Sequence, residues 1–121
     1  MAKIQSKSLA EPEEVRPFQG GTGQVELVTL DSGPVGRGTF GPGWKWSDHV
    51  KPIAGTDSCQ VHHLGWVASG RMRIVMDDGS EVEVGPGDVF DIPAGHDAWT
   101  VGDEPCVMID FGGLRGYAVG S

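Results

Sequence analysis

The chain has 121 residues, of which 20 are glycine, 8 are proline and 38% are hydrophobic, a length and composition that fit one domain with one packed core. Seventeen acidic against nine basic residues give a formal net charge of −8. This charge repels a phosphate backbone and an anionic membrane surface, so we expect neither nucleic acid nor membrane as a partner.

The spacing of glycine and proline excludes long helices. The longest stretch without either residue runs from Met1 to Glu11, and no later stretch exceeds nine residues. Helices average about 11 to 12 residues and rarely contain either residue inside. We therefore expect strands from Gly20 onward, which excludes helical bundles and folds with crossover helices.

The first half of the chain opens with a polar arm, residues 1–19, interpreted as a partly ordered terminus or as a strand that docks on a partner subunit. Short strands are predicted after it, with turns at Asp31–Pro34 and Gly41–Gly43. A loop with Pro52 and Gly55 follows over Lys51–Ser58. The strands predicted in this half are Gln24–Leu30, Val35–Phe40 and Trp44–Val50.

The second half has a clearer pattern, because apolar runs alternate with strong turn signals. Asp77–Ser80 contains an Asp-Gly hairpin turn, and the run Glu81–Val84 alternates strictly between polar and apolar residues. About nine or ten short strands in all indicate an all-β sandwich or barrel of antiparallel strands. The strands predicted here are Cys59–Ala68, Arg71–Met76, Glu81–Val84, Val89–Ile92, Asp97–Val101 and Cys106–Phe111.

One stretch resembles a motif of the cupin superfamily. Gly87, Pro93 and Gly95 match the second cupin motif, written as Gly, five residues, Pro-x-Gly, two residues, His. These residues turn the chain into a strand and out again, so that the next strand can carry a side chain into a barrel.

The first cupin motif is matched in two parts. Gly41, followed five residues later by Ser47-Asp48-His49, resembles its opening, Gly, five residues, His-x-His. His63 to Gly70 resembles its second part, Glu, six residues, Gly. The segment Lys51–Ser58 is then an insertion at the barrel mouth, and the resemblance covers roughly Gly41 to Phe111.

The resemblance implies a small single-domain cupin, with a double-stranded β-helix (jelly-roll barrel) of two antiparallel sheets over residues 20–121. It also implies a homodimer, because cupins of this kind commonly pair, and the arm at residues 1–19 is a candidate for an exchanged strand.

The same resemblance implies a metal site inside the barrel. His49 stands in the second His position of the first motif, and His63 stands where the family has Glu. His96 shares strand parity with Ala98, which occupies the family's last His position, so it is expected to point inward. We therefore expect His49, His63 and His96 to hold a divalent ion, Fe, Zn, Ni or Mn.

Two neighbouring residues are alternatives. His62 faces the opposite side of a regular strand from His63 and is interpreted as a surface or interface residue. Cys59 shares the face of His63, but four residues of strand span about 13 Å, so it is expected to pack in the core unless a bulge brings it near.

The composition also predicts a cytoplasmic protein. No apolar run approaches the roughly 18 residues of a spanning helix, and the polar start from Met1 to Lys7 lacks the apolar segment of a secretory signal. In that reducing compartment, Cys59 and Cys106 are expected as free buried thiols.

Three functions are compatible with these features. The first is a metal-dependent enzyme, such as an oxygenase or isomerase acting on a small organic molecule. The second is a non-catalytic module that binds or senses a small ligand, which the departures from the family's ligand pattern favour. The third is a structural barrel filled by side chains.

Overall fold

The protein forms two antiparallel sheets, as a computed structural model that describes residues 3–111 and Tyr117 shows. Nine strands lie in the described part of the chain. They are β1 (Glu14–Pro17), β2 (Gly23–Leu30), β3 (Gly33–Phe40), β4 (His63–Ser69), β5 (Arg71–Met76), β6 (Glu81–Val84), β7 (Val89–Ile92), β8 (His96–Val101) and β9 (Cys106–Phe111).

The two sheets differ in size. Six strands form the larger sheet, in the order β1-β2-β3-β9-β4-β7, and three form the smaller one, in the order β6-β5-β8. Strands β3, β9 and β4 are neighbours in space but not in sequence, and the chain passes between the sheets as it advances. This is the double-stranded β-helix that the sequence predicts.

The interior lies between the sheets, because side chains alternate across each strand. On β9, Cys106, Met108 and Asp110 are buried, whereas Val107 and Ile109 are half-buried and Phe111 is exposed. The buried apolar residues of both sheets make one continuous cluster, so the two sheets share one core.

The turns of the second half form as predicted. Strands β5, β6, β7 and β9 have the predicted bounds, and the hairpin between β5 and β6 closes at Gly79, whose φ of 90° suits glycine. In the same turn, the carboxylate of Asp78 accepts hydrogen bonds from the backbone N–H and the hydroxyl of Ser80.

The predicted strand Trp44–Val50 is wrong. A single-turn helix, α1 (Trp46–His49), occupies this region, and a second, α2 (Lys51–Ala54), forms the first half of the segment predicted as the loop Lys51–Ser58. A contact from a distant strand stabilises α1, since the carboxylate of Asp97 on β8 accepts the N–H of Ser47 at 3.1 Å. Pro52 lies in the first turn of α2. Gly55 caps the C-terminus of this helix in the left-handed conformation, with a φ of 77°.

The predicted strand Cys59–Ala68 is too long at its start. Strand β4 begins at His63, and Cys59 instead forms an isolated bridge with His96. No helix in residues 3–111 is long and apolar enough to cross a membrane.

The polar arm contributes to the chain's own sheet. Strand β1 pairs with β2 in antiparallel register, with Glu14 opposite Leu27 and Pro17 opposite Gln24. Part of the segment predicted as a separate arm therefore packs with the barrel. The end of the predicted domain at residues 112–116 and 118–121 lies outside the described residues.

Candidate metal centre

Three buried side chains meet inside the barrel. One possible ligand atom from each of Cys59, His63 and His96 lies within 4.8 Å of the other two. All three residues are at most 7% exposed. Sulfur and imidazole nitrogen are typical ligands of zinc and other transition metals, so the cluster is a candidate metal centre.

The fold brings the three residues together from both sheets. His63 is the first residue of β4 in the larger sheet, and His96 is the first residue of β8 in the smaller one. Cys59 lies opposite His96: its backbone N–H donates to the His96 carbonyl at 2.7 Å, and the His96 N–H donates back at 3.3 Å. This pairing places the thiol beside the imidazoles.

A buried carboxylate orients the imidazole of His63. Its Nδ1 lies 2.6 Å from Oδ2 of Asp110, which is 4% exposed on the adjacent strand β9. The Nδ1–H therefore donates to the carboxylate, and Nε2 is left as the ligand atom, 3.8 Å from Sγ of Cys59. A carboxylate on the far nitrogen is a common partner of metal-binding histidine.

A backbone carbonyl orients His96 in the same way. Its Nδ1–H donates to the carbonyl of Pro93 at 2.8 Å, so its Nε2 is also available as a ligand. Burial lowers the pKa of His96, with a smaller contribution in the same direction from His63. The ring is therefore neutral at physiological pH, as metal binding requires.

The thiol of Cys59 is protonated in the metal-free protein. Burial, together with the charges of Asp97 and Asp110, raises its pKa to about 11, although a backbone hydrogen bond from Val61 opposes the shift. A thiol of this kind is a poor nucleophile, and a metal ion that binds it must displace its proton.

The donor set fits a small transition-metal ion. Ligand atoms about 2.0–2.3 Å from a tetrahedral zinc ion lie about 3.3–3.8 Å from one another. The 3.8 Å between Cys59 Sγ and His63 Nε2 agrees with this spacing, and the third donor lies within 4.8 Å of both. Three protein ligands also leave one tetrahedral position open, as in catalytic zinc sites.

The structure does not bring His49 into this group. His49 ends helix α1, where its Nδ1 accepts the backbone N–H of Lys45 at 3.0 Å and its ring lies beside Gly20. The segment expected as a strand at His49 is a helix, so its position in the first motif does not place it beside His63 and His96. His63 and His96 are both buried in the barrel, as expected.

His62, the residue before β4, lies outside the buried cluster. His62 is exposed and pairs with Asp91 on β7, also exposed, on the outer side of the larger sheet. The surface interpretation of His62 is therefore consistent with the structure.

Sequence reasoning kept Cys59 only as an alternative ligand and did not find Asp110. Cys59 was expected to be too far from His63 in a regular strand, but residues 60–62 are not in a strand, so the distance argument fails. Asp110 was not considered, although its alternation with Cys106 and Met108 on β9 indicates that it points inward.

The centre opens onto a small apolar cavity between the sheets. It offers about 40 Å³ to the centres of water-sized molecules, more than the ~10–15 Å³ that a single water needs. Trp44, Trp46 and Tyr117 line it beside the two histidines and Asp110. Its remaining walls are Gly38, Phe40, Met72, Ile74, Phe90, Ile92, Ala98 and Met108.

One polar atom of this wall has no partner. Within the described residues, the indole Nε1 of Trp44 is buried and makes no hydrogen bond. An unsatisfied buried donor costs about 1–3 kcal/mol, and native proteins contain few of them.

Solved structures of low sequence identity share this fold. A protein of unknown function from Rhizobium leguminosarum is 20% identical over 92% of this chain and 99% of its own, with a TM-score of 0.63. An RmlC-like cupin from Shewanella frigidimarina is 18% identical over 95% of this chain and 96% of its own, with a TM-score of 0.58.

A third structure is the oxalate decarboxylase of Bacillus subtilis, a protein with Mn(II) centres. It is 21% identical over 81% of this chain and 27% of its own, with a TM-score of 0.53. No curated protein matches the chain at a significant level.

The family assignment rests on sequence and fold together. The sequence model of the Cupin domain family matches residues 54–112, a segment that contains Cys59, His63, His96 and Asp110. The fold agrees with that match, since two antiparallel sheets form a jelly-roll barrel around the site. Residues 54–112 therefore match the Cupin domain family, and the described chain has a jelly-roll fold that cupin structures share.

Proposed function

We propose that the protein binds a divalent metal ion through Cys59 Sγ, His63 Nε2 and His96 Nε2, and that the ion binds a small organic molecule in the adjacent cavity. The observation that carries the proposal is the convergence of the three donor atoms within 4.8 Å. Both imidazoles are held by a hydrogen bond on Nδ1, which directs Nε2 toward the centre.

The donor set favours some metals over others. A thiolate with two imidazoles suits zinc, iron or nickel, whereas manganese prefers carboxylate and carbonyl oxygen. Because the set includes Cys59, we propose zinc, iron or nickel as the bound ion and place manganese last. The Mn(II) centres of the Bacillus subtilis relative support a metal in this fold but not the same metal here.

The metal would act as a Lewis acid toward an oxygen atom of the ligand. The residues around the metal would support this role. Asp110 orients His63, and the apolar walls of the cavity would keep water away from the centre. An oxygenase or an isomerase is the catalytic form of this proposal.

A non-catalytic ligand-binding module is the second candidate. One observation favours it: Asp110 is the single carboxylate among the described residues that line the cavity, and its Oδ2 is bonded to His63. Because the Asp110 carboxylate is used to orient His63, the site lacks an obvious general base for proton abstraction from a bound molecule.

Metal analysis tests the proposal. The purified protein should contain about one equivalent of metal per chain, and Cys59→Ala and His63→Ala should each remove it. His49→Ala and His62→Ala are matched controls that should retain it. Metal that remains after the first two changes, or that is lost with His49→Ala, would show that the centre is wrongly assigned.

We also propose a homodimer formed by the outer face of the larger sheet. Leu64, Trp66, Val89 and Phe111 lie on that face and are 40–77% exposed. Large apolar side chains clustered on one sheet face are typical of an interface. Sedimentation velocity should show a dimer, and Trp66→Lys together with Leu64→Lys should yield a monomer that still contains metal.

A cytoplasmic location completes the proposal. Cys59 and Cys106 are free and buried, and a centre with a thiolate ligand needs a reduced thiol. Fractionation of the native host should place the protein with the reduced cytoplasmic pool, and recovery from an oxidising compartment would contradict this.

A further inference from the structure

Cys59 is held beside the two imidazoles by a very short backbone contact. Its pairing with His96 is an isolated bridge, and the residues that follow, 60–62, are not in a strand. The Cys59 N–H donates to the His96 carbonyl at 2.7 Å, and the Cys59 carbonyl accepts the N–H of Gly95 at 2.7 Å. One bridge fixes a single point of the chain, so the direction of the thiol also depends on what holds the neighbouring residue.

That neighbour, Ser58, is buried and is tied to a distant carboxylate. The hydroxyl of Ser58 donates to Oδ2 of Asp77 at 2.9 Å. The direction of this bond is fixed because Nε2 of Gln60 donates to the same Oγ at 3.0 Å, which leaves the single hydroxyl hydrogen for the carboxylate. Hydrogen bonds to a charged acceptor are stronger than those between neutral groups. The segment that carries Cys59 is therefore joined to the turn that carries Asp77.

The turn after β5 holds Asp77 against the same residues that Cys59 contacts. Met76, the last residue of β5, pairs with His96 in the sheet. The N–H of Asp77 donates to the carbonyl of Gly95 at 2.9 Å. A Cβ at Gly95 would lie 2.9 Å from Oδ2 of Asp77, so the carboxylate occupies space that this glycine leaves open. The Asp77 side chain thus has a fixed place from which to hold Ser58.

We propose that Asp77 is a positioning residue of the metal centre, which acts through Ser58 to direct the thiol of Cys59 toward the two imidazoles. The inference rests on the proposed metal centre. It assigns to Asp77 the role for the thiol that the hydrogen bonds on Nδ1 have for the two histidines.

Cobalt gives a readout that reports on the thiol ligand. Co²⁺ bound by a thiolate has a sulfur-to-metal charge-transfer band in the near ultraviolet, and imidazole ligands do not produce it. In protein loaded with Co²⁺, Ser58→Ala and Asp77→Ala should each weaken this band per bound ion, because the thiol leaves the metal in part of the molecules. Far-ultraviolet circular dichroism should show that both variants remain folded.

The same turn supplies a matched pair of controls. The carboxylate of Asp78 accepts a hydrogen bond from the hydroxyl of Ser80 at 2.6 Å, in an exposed position. Asp78→Ala and Ser80→Ala break a bond of the same kind and should leave the charge-transfer band unchanged. An equal loss of the band in these variants would show that any damage to the turn disturbs the centre, and would overturn the specific role of Asp77.

Affinity for Zn²⁺ tests whether Ser58 and Asp77 act through one bond. Each alanine variant should bind Zn²⁺ about tenfold more weakly, as the loss of a hydrogen bond to a charged group predicts. The double variant should also lose about tenfold, because both changes break the same bond. Losses that multiply in the double variant would overturn the proposal.

A conservative variant separates the hydrogen bond from the charge. Asp77→Asn removes the charge but keeps an oxygen that can accept from Ser58, so it should lose less affinity for Zn²⁺ than Asp77→Ala. Equal losses in the two variants would show that the charge of Asp77 acts on the metal directly, and would overturn its role through Ser58.

The outcomes also separate this inference from the proposed function. If the unmodified protein takes up no Co²⁺, or takes it up without the charge-transfer band, the proposed metal centre is overturned. If the unmodified protein shows the band, and Ser58→Ala and Asp77→Ala show it at full strength, the metal centre stands and the role of Asp77 is overturned.

Discussion

Two histidine–aspartate pairs lie in opposite surroundings at the start of strand β4, one on the inner and one on the outer side of the larger sheet. On the inner face, His63 binds Asp110, and both side chains are less than a tenth exposed. On the outer face, the next residue back, His62, binds Asp91, and both side chains are about two thirds exposed. The residues are identical in chemistry, so solvent decides what each pair can do.

Burial makes the inner pair a fixed part of a site. The two members of the buried pair are coupled, because removing Asp110 leaves the Nδ1–H of His63 buried without an acceptor. The outer pair is screened and competes with water, and such pairs contribute about 0–1 kcal/mol. The ring of His63 is therefore fixed in an orientation suited to metal binding, whereas the ring of His62 is weakly constrained.

The largest expected effect is on metal binding by the inner pair. Asp110→Asn should lower the affinity for Zn²⁺ by about 10- to 100-fold, since the carboxylate that orients His63 is lost. Asp91→Asn is the matched change on the outer face and should leave the affinity within about twofold. Competition with a fluorescent chelator measures both, and equal losses in the two variants would erase the distinction between the faces.

Stability should show the same asymmetry. In the metal-free protein, Asp110→Ala should lower the free energy of unfolding by about 1–3 kcal/mol, because it leaves the buried Nδ1–H of His63 without its acceptor. Asp91→Ala should lower it by less than about 1 kcal/mol. Urea unfolding followed by tryptophan fluorescence checks both values, and a cost below about 1 kcal/mol for Asp110→Ala would mean that the inner pair is not coupled to the fold.

The pH dependence of metal binding sharpens the comparison further. Because burial raises the pKa of Cys59 to about 11, the thiol must lose a proton when the metal binds. Affinity for Zn²⁺ should therefore rise about tenfold per pH unit between pH 7 and 9. Cys59→Ala should remove this slope along with most of the affinity, and a pH-independent affinity in the unmodified protein would show that the thiolate is not a ligand.

The smallest predicted effect is a pH optimum of stability in the metal-free protein. Burial lowers the pKa of His96, so the unfolded state binds more protons below about pH 6.5, and stability falls as the pH drops through this range. Burial raises the pKa of Cys59 and of Cys106 to about 11, so stability falls as the pH rises above about 9.

Unfolding midpoints in urea across this range should therefore be highest between about pH 7 and 8.5. His96→Gln should flatten the acid side, and Cys106→Ala should reduce the loss on the alkaline side. His62→Gln, on the outer face, is the control that should leave the profile unchanged. A midpoint that rises steadily to pH 11 would contradict the burial of the two thiols.

The hairpins between β5 and β9 could be predicted because their signals are local. The Asp-Gly turn before Ser80, the strict alternation of Glu81–Val84 and the glycine and proline pairs between later strands act over two to four residues. The residues within each turn favour that turn, so the turns could be predicted locally. The turns in turn fixed the bounds of β5, β6, β7 and β9.

The region between β3 and β4 could not be predicted in the same way. The residues of Trp44–Val50 alternate well enough for a strand, but the N–H of Ser47 in α1 donates a hydrogen bond to Asp97 on a distant strand, which stabilises the helix. Cys59 reaches the centre because its backbone pairs with His96 instead of extending β4. Both outcomes depend on pairings between segments far apart in the chain.

The sequence by itself determined the fold class, the resemblance to cupins and the inward direction of His63, because period-2 alternation, turn residues and motif spacing act within a few residues. The tertiary structure decided which donors share one centre: it placed Cys59 beside His63, moved His49 to a helix and aligned Asp110 behind the imidazole. Distances across the barrel depend on how two sheets pack, and no local pattern of residues specifies that packing.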